Sequence, residues 1–340
     1  MKALRIVSNN PPLLNVVEVP TPAPGSKQVL VRVSAAGLNR ADIFQLHGHY
    51  EVPKDAPADI PGLEFAGVVE SRGAGVSAFV EGQRVFGLCG GGAHAQYIVS
   101  PEELLMPTPD NLSDTEAAAV PEAFITVHDA LVTQASMRAG ERVLIHAIGS
   151  GVGLAALQTV RAWNCVAFGT SRSKRKLEAV RNLKLGSARA PDRDAGLNFV
   201  LPAVFDEAIL KRTDGKGVDI ILDPIGAAYF DRNLKLLEER GRLVIIATLG
   251  GTTVDLPLST LMRKRLRLVG TMLRNRSLEE KSAATRAFQR DVLPKFASAE
   301  LTAVVDRCFP LAQAMDAYSY MQANENFGKI VLTVFDAPRH

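Results

Sequence analysis

The chain is 340 residues long, 47% hydrophobic and 22% charged, a globular mixture too long for one ordinary core and suited to about two domains. No apolar run approaches the ~18–20 residues that cross a bilayer, and the opening Met-Lys-Ala-Leu-Arg-Ile-Val lacks the apolar stretch of a secretion signal, so a cytoplasmic protein is expected. A net charge of +3 marks no nucleic-acid surface, and three scattered cysteines (Cys89, Cys165, Cys308) are too few for a disulfide framework or a four-cysteine zinc lobe.

The first third of the chain is rich in β-branched residues, Gly and Pro. Val29–Ala35 alternates apolar and polar side chains as a half-buried strand does, and Ala66–Glu70, Arg84–Gly87 and Ala95–Val99 repeat the pattern. A mostly antiparallel β domain is expected. Ser113 and Glu116 then stand at capping-box spacing before an alanine-rich helix; Pro121 interrupts it, and a second helical stretch runs to about Ser136. Beyond that, strands and helices alternate. Strands are predicted at Arg142–Ile148, Val166–Ser171, Val218–Asp223, Arg242–Thr248 and Arg267–Thr271, and helices at Gly151–Arg161, Ser173–Asn182 and Tyr229–Glu239. Apolar strands separated by helices predict a parallel sheet covered on both faces. A charged amphipathic helix starts at Ser277, and the last strand, Lys329–Phe335, is expected to return to the β domain. The doubly wound domain is then an insertion.

The chemistry begins at Val143-Leu-Ile-His-Ala-Ile-Gly-Ser-Gly-Val-Gly153, where a buried strand enters a turn of small residues and then a helix. Such a turn lets backbone N–H groups reach a pyrophosphate at the helix N-terminus. The strict G-x-G-x-x-G spacing is absent; small residues fall instead at Ala147, Ser150 and Gly153, with Gly149 and Gly151 between them. An acid about 20 residues further on would hold a ribose 2′-hydroxyl, but the second strand ends in Gly169-Thr-Ser-Arg-Ser-Lys174. Ser171, Arg172 and Lys174 suit a 2′-phosphate, which a carboxylate would repel and an Arg binds through charge-assisted hydrogen bonds. NADPH is therefore predicted over NADH.

Segments spread nearly end to end carry a resemblance: Ala36–Ile43, His47–Tyr50, Pro61–Gly67, His146–Gly153, Gly250–Pro257 and Gly328–Leu332. With these the chain resembles the medium-chain dehydrogenase/reductase superfamily, and more closely its zinc-independent quinone oxidoreductases, including the tumour-suppressor-inducible group. The resemblance implies an α/β chain with a GroES-like, mostly antiparallel catalytic domain over residues 1–123 and 273–340, and an inserted, doubly wound Rossmann domain over residues 124–272 that binds NADPH. In zinc alcohol dehydrogenases of the superfamily a Cys would stand at Asn39, a His at Leu63 and a Cys near Glu122. With these replaced, and Glu64 alone left, no metal is expected, because catalytic zinc takes about three protein ligands. His47 and His49 share a strand-like spacing, but no third ligand is evident near them.

Without a Lewis acid, alcohol oxidation loses its usual route, and the implied reaction is hydride transfer from NADPH to quinones or carbonyl-conjugated alkenes. The resemblance places Asn39 and Tyr50 beside nicotinamide and substrate, as hydrogen-bond donors to an acceptor oxygen. It adds cofactor contacts from Thr126, Ser150, Gly151, Val152, Gly153, Leu249, Gly250, Phe327 and Lys329. Relatives often carry a Tyr shortly after the Leu-Gly equivalent to Leu185-Gly186; its absence makes Arg189 the substitute for a 2′-phosphate contact. His94 reads as a surface strand histidine, His146 as a satisfied core residue, and Arg263–Arg267 as a solvated edge. The alternatives are a 2-enoyl thioester reductase, or an NADPH-binding protein whose Arg263–Arg267, Arg274 and Arg276 contact RNA; the absence of interleaved aromatics argues against base stacking. The expected partners are a small quinone or enone and a second copy of the chain, the homodimer pairing through Leu243–Leu249 and Thr252–Leu258; a membrane is not expected.

Overall fold

The structure is a computed structural model that describes residues 1–54, 56–183 and 198–335. Its contacts divide the chain into two units, one of Met1–Ile125, Leu273–Ser298 and Ala303–His340, the other of Thr126–Met272 and Ala299–Thr302.

The first unit opens with an antiparallel hairpin of β1 (Lys2–Asn9) and β2 (Pro12–Glu18). It continues with β3 (Gln28–Leu38), β4 (Glu64–Arg72), β5 (Arg84–Leu88), β6 (Tyr97–Pro101) and β7 (Leu105–Pro107). The second unit carries β8 (Arg142–Ile145), β9 (Val166–Thr170), β10 (Asn198–Val200), β11 (Val218–Asp223), β12 (Leu237–Ile245) and β13 (Arg267–Gly270), and the chain then supplies β14 (Val305–Pro310) and β15 (Lys329–Thr333) to the first.

In the first unit the seven-stranded sheet runs β14-β15-β3-β4-β5-β7, with β6 also on β3. β3 organises it. One edge pairs with β4; along the other, Gln28–Arg32 pair with β6 and Ala35–Leu38 with β15. The sheet is antiparallel apart from the parallel pair β14–β15. Val29, Val31, Val33, Phe65 and Val85 pack beneath it with no exposed surface, and each such side chain contributes ~1.5–3 kcal/mol through burial.

The second unit's sheet is parallel throughout, in the order β10-β9-β8-β11-β12-β13. Leu144, Phe168, Ile221 and Leu243 are at most 2% exposed within it. The winding direction reverses at β8, so the crevice of a doubly wound sheet opens at the carboxyl end of that strand.

Two expectations need correction. The helix predicted over Tyr229–Glu239 ends at Leu236, and Leu237 already pairs with Val218 as the first residue of β12. Lys264 closes the helix by donating from Nζ to the carbonyl oxygens of Leu234, Lys235 and Leu237 at 3.0, 2.8 and 2.6 Å, which satisfies groups that a helix end leaves open. The apolar Leu243–Leu249 stretch is not an edge either: β12 is enclosed by β11 and β13, and the edge belongs to β13.

Candidate functional site

In the first unit the site grows from the end of β3. Asn39 follows the strand directly and starts the helix Arg40–Leu46, its backbone N–H donating to Asp42 Oδ2 at 2.7 Å. Asp42 Oδ1 accepts from the N–H of Gly62 at 3.0 Å. Gly62 has φ +102°, and a Cβ there would lie 2.7 Å from the His94 nitrogen, so this turn accepts only glycine. The Asn39 amide donates from Nδ2 to Glu64 Oε1 at 2.9 Å, and its Oδ1 accepts from Lys329 Nζ at 2.5 Å. Lys329 also donates to the carbonyl of Leu38 at 3.1 Å and pairs with Glu64 at 2.5 Å. The ammonium thus makes two hydrogen bonds and one ion pair here. Glu64 is 0% and Lys329 6% exposed, so the pair replaces solvent for two buried charges. The second Glu64 oxygen accepts from the backbone N–H of Glu122 at 2.8 Å.

Tyr50 is half-buried, with the Arg274 guanidinium over its ring, 4.7 Å from the centroid. Arg274 is 4% exposed. It donates from Nε to Gly90 O at 2.9 Å and from Nη2 to Gln45 Oε1 at 2.7 Å, while its buried Nη1 has no partner. Burial and then the Glu122 charge push the Tyr50 phenol up to about 12, with Arg274 acting in the opposite direction. Glu122 is raised to about 8, by burial first and by the neighbouring Glu64 charge second.

Arg274 is thus not a surface arginine, which removes it from the basic set considered for RNA. His94 is likewise fully buried: its Nε2 lies 3.3 Å from Gly37 O and its Nδ1 3.2 Å from the Tyr318 hydroxyl, and desolvation lowers its pKa. Among the described residues no group of three or more His, Cys, Asp or Glu is placed to hold a metal ion. His47 Nε2 lies 2.9 Å from Gln322 Nε2.

In the second unit the turn after β8 brings together Ser150, Gly151, Val152 and Gly153. Ser150 Oγ accepts from Gly153 N at 3.0 Å and caps the helix Gly151–Ala162. A Cβ on Gly153 would lie 2.4 Å from the carbonyl oxygen of Ala147. The N–H groups of Gly151 and Val152 find no acceptor among the described backbone groups. A tight glycine turn with unfilled donors at a helix start fits a dinucleotide pyrophosphate.

Ser171 is buried at the end of β9, its Oγ accepting from Ser173 N at 3.2 Å, whereas Arg172 and Lys174 are exposed. Half-buried Tyr229 stands in the field of Arg172; burial raises its phenol and Arg172 opposes the rise. The Leu249 and Gly250 backbones are tied to the β11 loop through Pro224 O and Ile225 O at 3.2 and 2.7 Å. Thr126 stands in the helix Pro121–Val127, and Phe327 is half-buried before β15. Leu185, Gly186 and Arg189 lie outside the described residues.

Sequence reasoning missed Arg274, Glu122 and Tyr229 as site residues. A buried arginine leaves no periodic signal, and Glu122 was visible only as the replacement of a metal ligand. His146 fulfils its expected core role: Nδ1 lies 2.9 Å from Thr170 Oγ1 and Nε2 2.8 Å from Asn233 Oδ1, and Asn233 donates to Asp223 Oδ2 at 3.0 Å.

The family model for an alcohol dehydrogenase GroES-like domain matches residues 25–110, and that for a zinc-binding dehydrogenase matches residues 151–289. The quinone oxidoreductase of Rattus norvegicus is 30% identical over 336 residues, covering 98% of this chain and 97% of the relative. Among solved structures, an NAD-dependent alcohol dehydrogenase aligns with a TM-score of 0.83 at 28% identity over 98% of this chain and 100% of the other. The CurK enoyl reductase aligns with a TM-score of 0.83 at 25% identity over 98% of each.

Proposed function

The chain belongs to the zinc-independent quinone oxidoreductase family of the medium-chain dehydrogenase/reductase superfamily, and from that premise we propose that it is an NADPH-dependent reductase of quinones and related α,β-unsaturated carbonyls that works without a metal. One observation carries the metal-free reading. Where a zinc dehydrogenase of the superfamily gathers its ligands, this chain has Asn39, Leu63 and Glu122, and the remaining acid, Glu64, is already neutralised by Lys329. A lysine ammonium supplies the positive charge there.

The nicotinamide cofactor that the family implies fits the turn Ser150–Gly153, with its pyrophosphate on the unfilled N–H groups of Gly151 and Val152. When bound it supplies hydride. Exposed Arg172 and Lys174, with Ser171 and no acid at the end of β9, support a 2′-phosphate and hence NADPH. Thr126, Leu249, Gly250 and Phe327 complete the proposed contacts. Lys329 is a further proposed contact; its Nζ donates to Leu38 O and Asn39 Oδ1 and pairs with Glu64.

On the acceptor side, the Tyr50 hydroxyl, which has no partner among the described residues, donates to the oxygen on which charge develops. The second Asn39 amide proton, held only at 3.5 Å by Gly37 O, is the other donor. A homodimer through the free edge of β13 is the assembly we propose; Val254, Leu258 and Met262 stand 40%, 61% and 75% exposed in the preceding segment.

A second reading, a 2-enoyl thioester reductase, has support from the likeness to CurK enoyl reductase. NADPH and NADH oxidation against quinones, enals and enoyl thioesters separates them. Turnover of quinones or enals with NADPH is expected; turnover of thioesters alone favours the second reading, and silence across the set overturns both.

A further inference from the structure

Asn39, Lys329 and Glu64 form a closed triangle of polar contacts. Lys329 Nζ lies 2.5 Å from both Asn39 Oδ1 and Glu64 Oε1, and Glu64 Oε1 also accepts from Asn39 Nδ2 at 2.9 Å. Each corner is anchored from outside the triangle. Lys329 Nζ donates to Leu38 O, Glu64 Oε2 accepts from the backbone N–H of Glu122, and the Asn39 backbone N–H donates to Asp42 Oδ2. Asn39 is 9%, Lys329 6% and Glu64 0% exposed, so solvent has little access to any of the three. A Cβ at position 37 would fall 2.2 Å from Glu64 Oε1, and the glycine there leaves the carboxylate its place.

The two ends of a side-chain amide have nearly the same shape and opposite roles: the oxygen accepts and the nitrogen donates. An ammonium only donates, and a carboxylate only accepts. The triangle therefore admits one orientation of the Asn39 amide. Turned over, its N–H groups would meet the ammonium and its oxygen the carboxylate, and both contacts would repel. With Oδ1 and one N–H consumed, the group left over is the second N–H, which reaches Gly37 O only at 3.5 Å.

We propose that Lys329 and Glu64 are positioning residues for the reaction: they lock the Asn39 amide so that it offers the acceptor oxygen a hydrogen-bond donor and never its own oxygen. This rests on the reductase reading above. As the hydride pair forms a C–H bond at the acceptor carbon, the acceptor's π pair moves onto its oxygen, which then takes a proton from water. An N–H already aimed at that oxygen lowers the barrier; an amide oxygen in its place would repel the new charge.

The variant Lys329→Met with Glu64→Gln tests the lock and removes both buried charges together, so that neither is left unpaired. The oxygen of the new glutamine can serve the Glu122 N–H, which leaves its nitrogen toward Asn39 and turns the Asn39 amide over. In cofactor-free protein carrying isotope-labelled asparagine, the two Asn39 amide protons, assigned by their loss in Asn39→Ala, should resonate far apart in the wild type, one bound to a carboxylate and the other nearly free. They should draw together in the paired variant. At saturating NADPH, so that a lost cofactor contact does not enter, the paired variant should turn over quinone ~10-fold or more slowly with the quinone KM nearly unchanged. In an Asn39→Ala background the same pair of substitutions should lower turnover no further. An amide splitting that the paired variant leaves unchanged, or a loss of turnover that persists undiminished in the Asn39→Ala background, overturns the positioning role and leaves the reductase reading in place. Should the paired variant not fold, Lys329→Met with Glu64→Met decides it by the same criteria. Silence of the wild type toward every acceptor overturns both readings.

Discussion

Tyr50 has one polar atom and no partner for it among the described residues, while Arg274 covers its ring. Removing the hydroxyl therefore leaves the packing in place. Tyr50→Phe should lower turnover by ~10-fold or more with NADPH affinity nearly unchanged; unaltered turnover would take Tyr50 out of the mechanism. Arg172 belongs to the other unit and a different chemistry. It is exposed, so Arg172→Ala should raise the NADPH dissociation constant by about tenfold, as loss of one charged hydrogen bond does, and leave that for NADH unchanged. Equal losses for both nucleotides would remove the 2′-phosphate assignment. These two residues drew notice in the sequence because each sits in a short motif. Arg274 went unnoticed as a residue of this site, because it meets Tyr50, Gln45 and Gly90 only after segments 184–229 positions apart fold together.

At the scale of the element, strands announced themselves by alternation and by apolar runs, and the turn after β8 by its glycines. What composition could not reveal was where two elements share residues. Leu237 is apolar and reads as the end of a helix, yet pairing with Val218 and the carbonyl grip of Lys264 hand it to β12. The helix Gly151–Ala162 depends on its cap, so Ser150→Ala should cost ~1 kcal/mol in unfolding free energy; no change in a denaturant midpoint would show that the cap is idle. Between β8 and the helix Phe230–Leu236, burial lowers the His146 pKa from 6.5 to about 4. A base whose folded pKa is depressed stabilises the fold above its unfolded pKa, and that stability is lost as pH falls from 6.5 toward 4. The melting temperature of the wild type should therefore exceed that of His146→Gln by a margin that shrinks over this interval. A margin independent of pH would show that His146 is not held neutral by the fold.

For the whole molecule, the two units were legible because their patterns differ: alternating strands in one, apolar strands between helices in the other. The return of the last strand followed from its position after the inserted unit, and β15 on β3 bears it out. The pairing edge was misplaced because sequence shows that a strand is apolar but not which strands flank it. If copies join through β13, Met262→Lys, at a side chain 75% exposed, should shift the elution volume from dimer toward monomer; an unshifted volume excludes this helix from the contact. No helix among the described residues is long and apolar enough to cross a membrane. The decisive measurement is anaerobic NADPH oxidation by the purified chain with a simple quinone, before and after exhaustive treatment with a zinc chelator. One NADPH consumed per quinone reduced, at a rate the chelator does not alter and NADH does not match, is the predicted result. A rate that disappears with the chelator and returns with zinc, or a preference for NADH, would contradict it.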